Sequence, residues 1–283
     1  MNKFTISYEF FPPKTPEAKQ ALHEAIVQLK PTNPAYISVT YGAGGSTRES
    51  THQLVQELKQ ELHIPVVAHL TCVASSREEI RVILRQYNEI GITDIMALRG
   101  DLPKGLTNPP MLQDGFEHAK DLVAFIKEIF PHFRVGVAGF PEGHPTTPNR
   151  LIEMNYLKEK IDAGADYICT QLFFDNNMYI DFVERCRING IFVPIIPGLM
   201  PVTTRKGMER MAELSLGSRY PAKLLAQLTQ ADSDETIEKI GIAWCAEQVK
   251  ALTEYGVPGL HFYTLNRAET ILKILKKNDL YDK

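Results

Sequence analysis

Glu9 lies in the run Ser7-Tyr-Glu-Phe-Phe-Pro-Pro13, a carboxyl among large aromatic side chains. Desolvation by such neighbours raises a carboxyl pKa and suits the group to donate a proton near neutral pH. The Phe-Phe-Pro-Pro segment restricts the backbone and can exclude water. Without that setting the residue reads as an exposed glutamate at a strand end. Arg99-Gly-Asp101 follows the apolar run Ile95-Met-Ala-Leu98. Gly100 lets backbone amides approach a ligand closely, Arg99 can bind phosphate in a fork, and Asp101 offers a charge to a heterocycle. A surface ion pair in a loop is the competing reading. Gln171, within Cys169-Thr-Gln-Leu-Phe-Phe174, carries an amide that can pair with both edges of a pterin or nicotinamide, or bond the backbone around it.

His69 and His144 raise the question of metal, alone or with Glu9 and Asp101. Neither H-x-E nor H-E-x-x-H spacing is present, so no metal is expected. Contacts to phosphate or sugar hydroxyls suit them better, and a satisfied buried histidine remains a fair reading of His69. Tyr156 and Lys160 share one helix face at i, i+4, which by itself is an ordinary amphipathic surface. No G-x-G-x-x-G follows the first strand and no G-x-x-x-x-G-K-[ST] occurs, so a Rossmann or P-loop site has no support.

The elements that must position these groups alternate along the whole chain. Strands are expected at Phe4–Phe10, Tyr36–Tyr41, Val66–Thr71, Ile95–Leu98, Val135–Phe140, Tyr167–Leu172, Phe192–Ile196 and Gly259–Tyr263. Helical patterns fill the intervals: Pro16–Leu29, Thr47–Leu62, Ser76–Ile90, about Phe116–Phe130, Pro148–Ala163, Met178–Asn189, Thr203–Leu214 and Asn266–Lys276. Alternating units of this kind form a parallel sheet with crossovers. Eight of them in 283 residues favour an α/β fold closed as a TM-free TIM (β/α)8 barrel over an open sheet. The stretch Arg219–Gln248 is longer than one unit needs and reads as an extra helix between strands seven and eight. Nothing in the composition divides residues 1–283, so a single domain is expected. Barrel strands point their C-terminal ends at one face, where active sites sit. Those ends carry Glu9, Thr40, His69 with Thr71, Arg99 with Asp101, Pro141-Glu-Gly-His144, Gln171, and Tyr263 with Arg267; the seventh ends in Pro197-Gly198.

A net charge of -3 and the absence of basic runs argue against nucleic-acid or membrane-surface partners. No window holds the ~18 uncharged apolar residues of a membrane span. Cys72, Cys169, Cys186 and Cys245 form no C-x-x-C pair and read as reduced, mostly buried thiols of a cytoplasmic protein.

Taken in order, several segments resemble the methylenetetrahydrofolate reductase family. They are Tyr8-Glu-Phe-Phe-Pro-Pro13, Ser38-Val-Thr-Tyr-Gly42, Ala68-His-Leu-Thr-Cys72, Ala97-Leu-Arg-Gly-Asp-Leu-Pro103 and Phe140-Pro-Glu-Gly-His-Pro145, then Lys160-Ile-Asp-Ala-Gly-Ala165, Thr170-Gln-Leu-Phe-Phe-Asp175, Ile195-Ile-Pro-Gly198 and His261-Phe-Tyr-Thr-Leu-Asn-Arg267. The resemblance implies a barrel holding FAD non-covalently. It implies ping-pong hydride transfer, NADH or NADPH first reducing the flavin, which then reduces 5,10-methylenetetrahydrofolate to 5-methyltetrahydrofolate. It assigns Glu9 as general acid and Asp101 to catalysis near the flavin ring and the pterin. It places Thr40, Tyr41, Ala43, His69, Arg99, Gly100, Asp101, His118, Ala119, Phe140, His144, Thr147, Glu153, Tyr156 and Lys160 around FAD. Glu9, Thr40, Asp101, Gln171 and Arg267 would contact substrate, Arg267 holding the glutamate tail. It also implies homo-oligomers and, because only the catalytic barrel is matched, no inhibition by adenosylmethionine. His118, Glu153 and Glu159 depart from the tyrosine, aspartate and arginine of the bacterial pattern. The loop Lys104–Gly115 looks lengthened, and Thr203–Gly207 differs. Two rivals remain: a metal-dependent or Schiff-base lyase, which lacks its chelating cluster or strand-end lysine, and a folate- or flavin-binding subunit without activity of its own.

Overall fold

The computed structural model describes residues 4–41, 48–100, 114–147, 149–215 and 217–281. Short β-branched and apolar runs form the strands: β1 (Thr5–Phe10), β2 (Tyr36–Val39), β3 (Val66–Thr71), β4 (Asp94–Leu98), β5 (Arg134–Gly139), β6 (Tyr167–Thr170), β7 (Ile195–Ile196), β8 (Gly198–Leu199) and β9 (Gly259–Tyr263). Every pairing is parallel, in the order β7-β6-β5-β4-β3-β2-β1-β9-β8. β7 and β8 are successive pieces of one path, parted by Pro197, which has no N–H for a ladder. β7 bonds to β6 and β8 to β9, so the sheet curls into a nearly closed barrel. The His261 N–H donates to Pro197 O at 3.0 Å across the break.

The seventh strand is therefore shorter than Phe192–Ile196. Phe192 is 74 % exposed and its ring lies 6.0 Å from the Arg187 guanidinium, so it belongs to the surface. Pairing starts only where Ile195 meets Ile168.

Side chains alternate between two environments, as the two-residue period of a strand requires. Tyr8, Phe10, Val39, Leu70, Val137 and Phe262 face outward into the large core shared with the helices. Tyr36, Val67, Met96, Tyr167, Cys169 and Ile196 form a separate cluster inside the barrel. All four cysteines are free and buried.

The helices are α1 (Pro16–Leu29), α2 (Arg48–Glu61), α3 (Arg77–Glu89), α4 (Ala119–Ile129), α5 (Arg150–Asp162), α6 (Asn176–Ile188), α7 (Arg205–Leu214), α8 (Ala222–Gln230), α9 (Asp234–Tyr255) and α10 (Glu269–Lys277). Their starts follow local capping chemistry. Thr15, Ser76, Asn149, Asp175, Thr204 and Ser233 each accept a first-turn N–H. Residues 219–248 contain α8 and most of α9. α9 crosses so close to the backbone of Val202 that a Cβ on Gly241 would lie 1.8 Å from Val202 O. α4 and α10 begin about three residues later than their sequence patterns suggest. α4 opens only after His118, whose N–H donates to Asp121 Oδ2 at 3.1 Å, and α10 only after a left-handed turn at Leu265 and Asn266.

Candidate active site

Period-two alternation puts Ser7 and Glu9 on the inner face of β1, His261 and Tyr263 on that of β9, and His69 and Thr71 on that of β3. At the centre, Glu9 Oε2 lies 3.4 Å from His69 Nε2 and 3.7 Å from His261 Nε2. The Glu9 side chain keeps 19 % of its surface exposed, so a ligand entering over the strand ends can reach it. Below, Ser7 Oγ sits 2.8 Å from His261 Nδ1 and 3.2 Å from Leu260 O. Tyr36 stacks on His261 with centroids 5.9 Å apart, and Tyr263 meets it edge-on at 5.3 Å.

The electrostatics of Glu9 reverse the expectation from its neighbours in sequence. Burial pushes its carboxyl up, but the facing His261 imidazole and the charges of His69 and His261 outweigh that and hold it below the usual carboxylate value. Burial pushes the His69 imidazole down, with the His261 charge adding to it and Glu9 opposing. Tyr8 and Phe10 cannot desolvate Glu9, because adjacent residues of a strand point to opposite faces.

Gly100, past the end of β4, has φ +87°, and a Cβ there would lie 2.8 Å from Thr71 Cβ and 2.9 Å from Val73 Cγ1. Its neighbour Arg99 is exposed, and Arg99 O takes the Val73 N–H at 2.9 Å. Thr71 Oγ1 and His69 Nε2 are buried and have no hydrogen-bond partner among the described residues. Thr40 is half-buried beside them, its N–H on Phe10 O at 2.9 Å, and Tyr41 is buried. Asp101 and Ala43 lie outside the described residues.

A cleft of about 360 Å3 opens beyond β5 at the start of α5, lined by His144, Thr147, Glu153, Arg150, Ser218 and Arg219 among others. His144 Nδ1 accepts from the Thr146 N–H at 3.3 Å, which leaves Nε2 to carry the ring proton when the imidazole is neutral. Phe140 packs edge-on against His144 at 4.8 Å. The carboxylates here are already engaged: Glu153 Oε2 takes the His144 N–H, and Glu142 takes the Arg219 N–H. Lys160 Nζ donates to Ala138 O at 2.8 Å, while Tyr156, one turn before it, is 53 % exposed. His118 and Ala119 stand at the start of α4, His118 exposed.

Gln171 follows β6. Its N–H reaches Gly139 O at 2.7 Å and its Oε1 accepts from the Leu172 N–H at 2.9 Å, so one end of the amide is spent on the backbone. Arg267 is exposed and lines a different cavity of about 600 Å3 with Glu24, Asp234, Glu238 and Asn266. The described residues contain no group of three or more His, Cys, Asp or Glu arranged to hold a metal. No helix among them is long and apolar enough to cross a membrane.

Sequence reasoning overlooks Ser7, His261, Arg150 and Arg219. The first two are findable: Ser7 lies two residues before Glu9, and His261 is a lone imidazole at an inward position of an apolar strand. The arginines come from a helix start and an inter-helix loop, and no local pattern joins them.

The family model described as methylenetetrahydrofolate reductase matches residues 1–279. A 5,10-methylenetetrahydrofolate reductase of Salmonella typhimurium is 40% identical over 268 residues, covering 94% of this chain and 88% of that protein. A protein of Arabidopsis thaliana named methylenetetrahydrofolate reductase (NADH) 1 is 37% identical; the match covers 98% of this chain and 48% of that one. Among solved structures, an uncharacterized protein from Clostridium thermocellum that binds two copies of 5-methyl-5,6,7,8-tetrahydrofolic acid is similar in fold. Its TM-score is 0.67 at 18% identity, over 99% of this chain and 95% of that one.

Proposed function

The chain belongs to the methylenetetrahydrofolate reductase family, and on that premise we propose that it reduces 5,10-methylenetetrahydrofolate to 5-methyltetrahydrofolate with electrons from NADH or NADPH. The observation that carries the reading is the Glu9 carboxyl held between two imidazoles at the ligand-accessible ends of the strands.

The residues present fit FAD. Thr71 Oγ1 and His69 Nε2 are buried polar atoms lacking hydrogen-bond partners among the described residues, and Gly100 keeps side-chain bulk out of the space beside them. His144, Arg150 and Arg219 offer donors to phosphate at the α5 N-terminus, and the two carboxylates that would repel an anion there are occupied by main-chain N–H groups. Thr40, Tyr41, His69, Arg99, Gly100, Ala119, Phe140, His144, Thr147, Glu153, Tyr156 and Lys160 would hold it, with His118 at the rim and Ala43 and Asp101 from outside the described residues. Bound there, FAD would supply hydride transfer between a nicotinamide and the folate carbon.

The chain's own residues handle the proton. Ser7 Oγ lies 2.8 Å from His261 Nδ1 and 3.2 Å from Leu260 O, and so orients the imidazole whose Nε2 faces Glu9. Glu9, faced by His69 and His261, would deliver a proton to the bridging nitrogen, opening the methylene to an electrophilic iminium. Both separations of Glu9 from the imidazoles exceed hydrogen-bond length, as is common before substrate draws such groups together. Gln171 keeps its NH2 for a ring edge, and Arg267 would pair the glutamate tail.

Glu9→Gln tests the reading. Glutamine keeps size and hydrogen bonding, so flavin content should match wild type. Bleaching by nicotinamide needs no proton from Glu9 and should stay within about tenfold, ~1.4 kcal/mol of barrier. Reoxidation by methylenetetrahydrofolate should slow by at least about a hundredfold, the lower end of a positioned acid's contribution. Anaerobic flavin absorbance follows each half. Reoxidation at the wild-type rate removes Glu9 from the acid role.

A further inference from the structure

Leu265 (φ 50°) and Asn266 (φ 59°) take the left-handed conformation in succession directly after β9. Asparagine tolerates this; for leucine it is strained. Burial does not offset that strain, since Leu265 is 45 % exposed. The turn is held by bonds to β1. Thr264 Oγ1 donates to Glu9 O at 2.7 Å, and the Thr264 N–H reaches the same oxygen at 3.3 Å. The Asn266 N–H donates to Thr264 Oγ1 at 3.1 Å and the Arg267 N–H to Thr264 O at 3.0 Å.

The Asn266 carboxamide closes the arrangement. Its Oδ1 accepts from the Phe11 N–H at 3.0 Å and its Nδ2 donates to Phe11 O at 2.9 Å. The β1–β9 ladder ends at Glu9 and Tyr263, so this two-bond bridge acts as one more rung beyond it. On one side of the rung, two residues back, stands Glu9; on the other, the next residue is Arg267. A turn needing only tolerance of positive φ would be served by glycine. A donor and an acceptor both spent on the main chain of Phe11, the residue after β1, serve registration.

We propose that Asn266 is a positioning residue that fixes Glu9 and Arg267 relative to each other, so that the acid and the tail anchor engage one folate together. It touches neither substrate nor cofactor and acts through those two residues. The proposal rests on the reading of Glu9 as acid and Arg267 as tail anchor. Strained backbone held by specific bonds beside reacting groups is a recurrent device of active sites.

Asn266→Gly keeps the left-handed backbone and deletes both side-chain bonds. Asn266→Asp keeps the acceptor and sets a carboxylate oxygen against Phe11 O. In the glycine variant, flavin content should be unchanged and bleaching by nicotinamide should stay within about twofold of wild type. The KM for methylenetetrahydrofolate should rise about tenfold or more and reoxidation should slow, with its pH profile displaced, since misplacement of an ångström or less has such effects. The aspartate variant, with two acceptors face to face, should be impaired at least as much. Both half-reactions failing together, or reoxidation with wild-type KM and pH profile, overturns the proposal. Glu9→Gln in parallel separates it from the reading beneath. Normal reoxidation there, with impairment in Asn266→Gly, removes the acid assignment and leaves Asn266 acting through Arg267. The reverse pattern removes Asn266 alone.

Discussion

Lys160 shows how one side chain can make the proposed flavin site sensitive to pH. Burial pushes its ammonium down to about 8, against the charge of Glu153, which raises it. The group is cationic near neutral pH and loses its charge as pH rises through that value. Retention of FAD should then weaken about tenfold between about pH 7 and about pH 9, the scale of one charge-assisted bond. Lys160→Gln should bind more weakly throughout and lose that dependence. Equilibrium dialysis across the range measures it, and an unchanged slope in the variant would clear Lys160 of the role. At Glu9 the sequence shows the residue but not its company. Tyr8 and Phe10 are adjacent in sequence yet face the outer core, while His69 and His261 come from strands 60 and 252 positions away and set its protonation. Composition near a residue says little about what it touches when the chain is a strand.

Among the elements, Gly241 on α9 sets two local effects against each other. Alanine is favoured over glycine inside a helix by about 1 kcal/mol. Its Cβ, however, would stand 1.8 Å from Val202 O, a backbone atom that no rotamer change can move. Overpacking costs about 1–3 kcal/mol and sometimes more, so steric conflict should win. Gly241→Ala should lower the denaturant midpoint by the equivalent of at least about 2 kcal/mol; a stabilised variant would mean that α9 does not press on the residue-202 backbone. The alternation of strands and helices was readable because it rests on period: two residues for β1, β3 and β9, capped helical turns for α1, α3 and α6. The seventh strand was less so. Phe192 is apolar enough for a strand, but only pairing with Ile168 decides where that strand begins, and pairing is not a local property.

For the molecule as a whole, two shifted groups predict acid lability with a definite sign. His69 titrates lower in the fold than in the open chain, so below about pH 6.5 the unfolded state binds a proton that the native state resists. Glu9 is held low, so its contribution is present above the ordinary carboxylate range and is lost as pH falls through its folded value. Tm should therefore be nearly level from about pH 8 to about pH 7, decline below about pH 6.5, and drop again below about pH 4.5. His69→Asn, at matched FAD content, should flatten the first decline; calorimetric scans showing the same slope in both proteins would assign it elsewhere. The pairing of β1 with β9 carries a further consequence, one of time. Ser7 meets His261 across a separation of 254 residues. At about 5–20 residues per second of synthesis, the first strand waits roughly 10–50 s for its partner. Throughout that wait its edge towards β9 lacks a ladder, and Glu9 lacks the His261 imidazole that faces it. The proposed acid is thus assembled last, and its appearance marks completion of the ring.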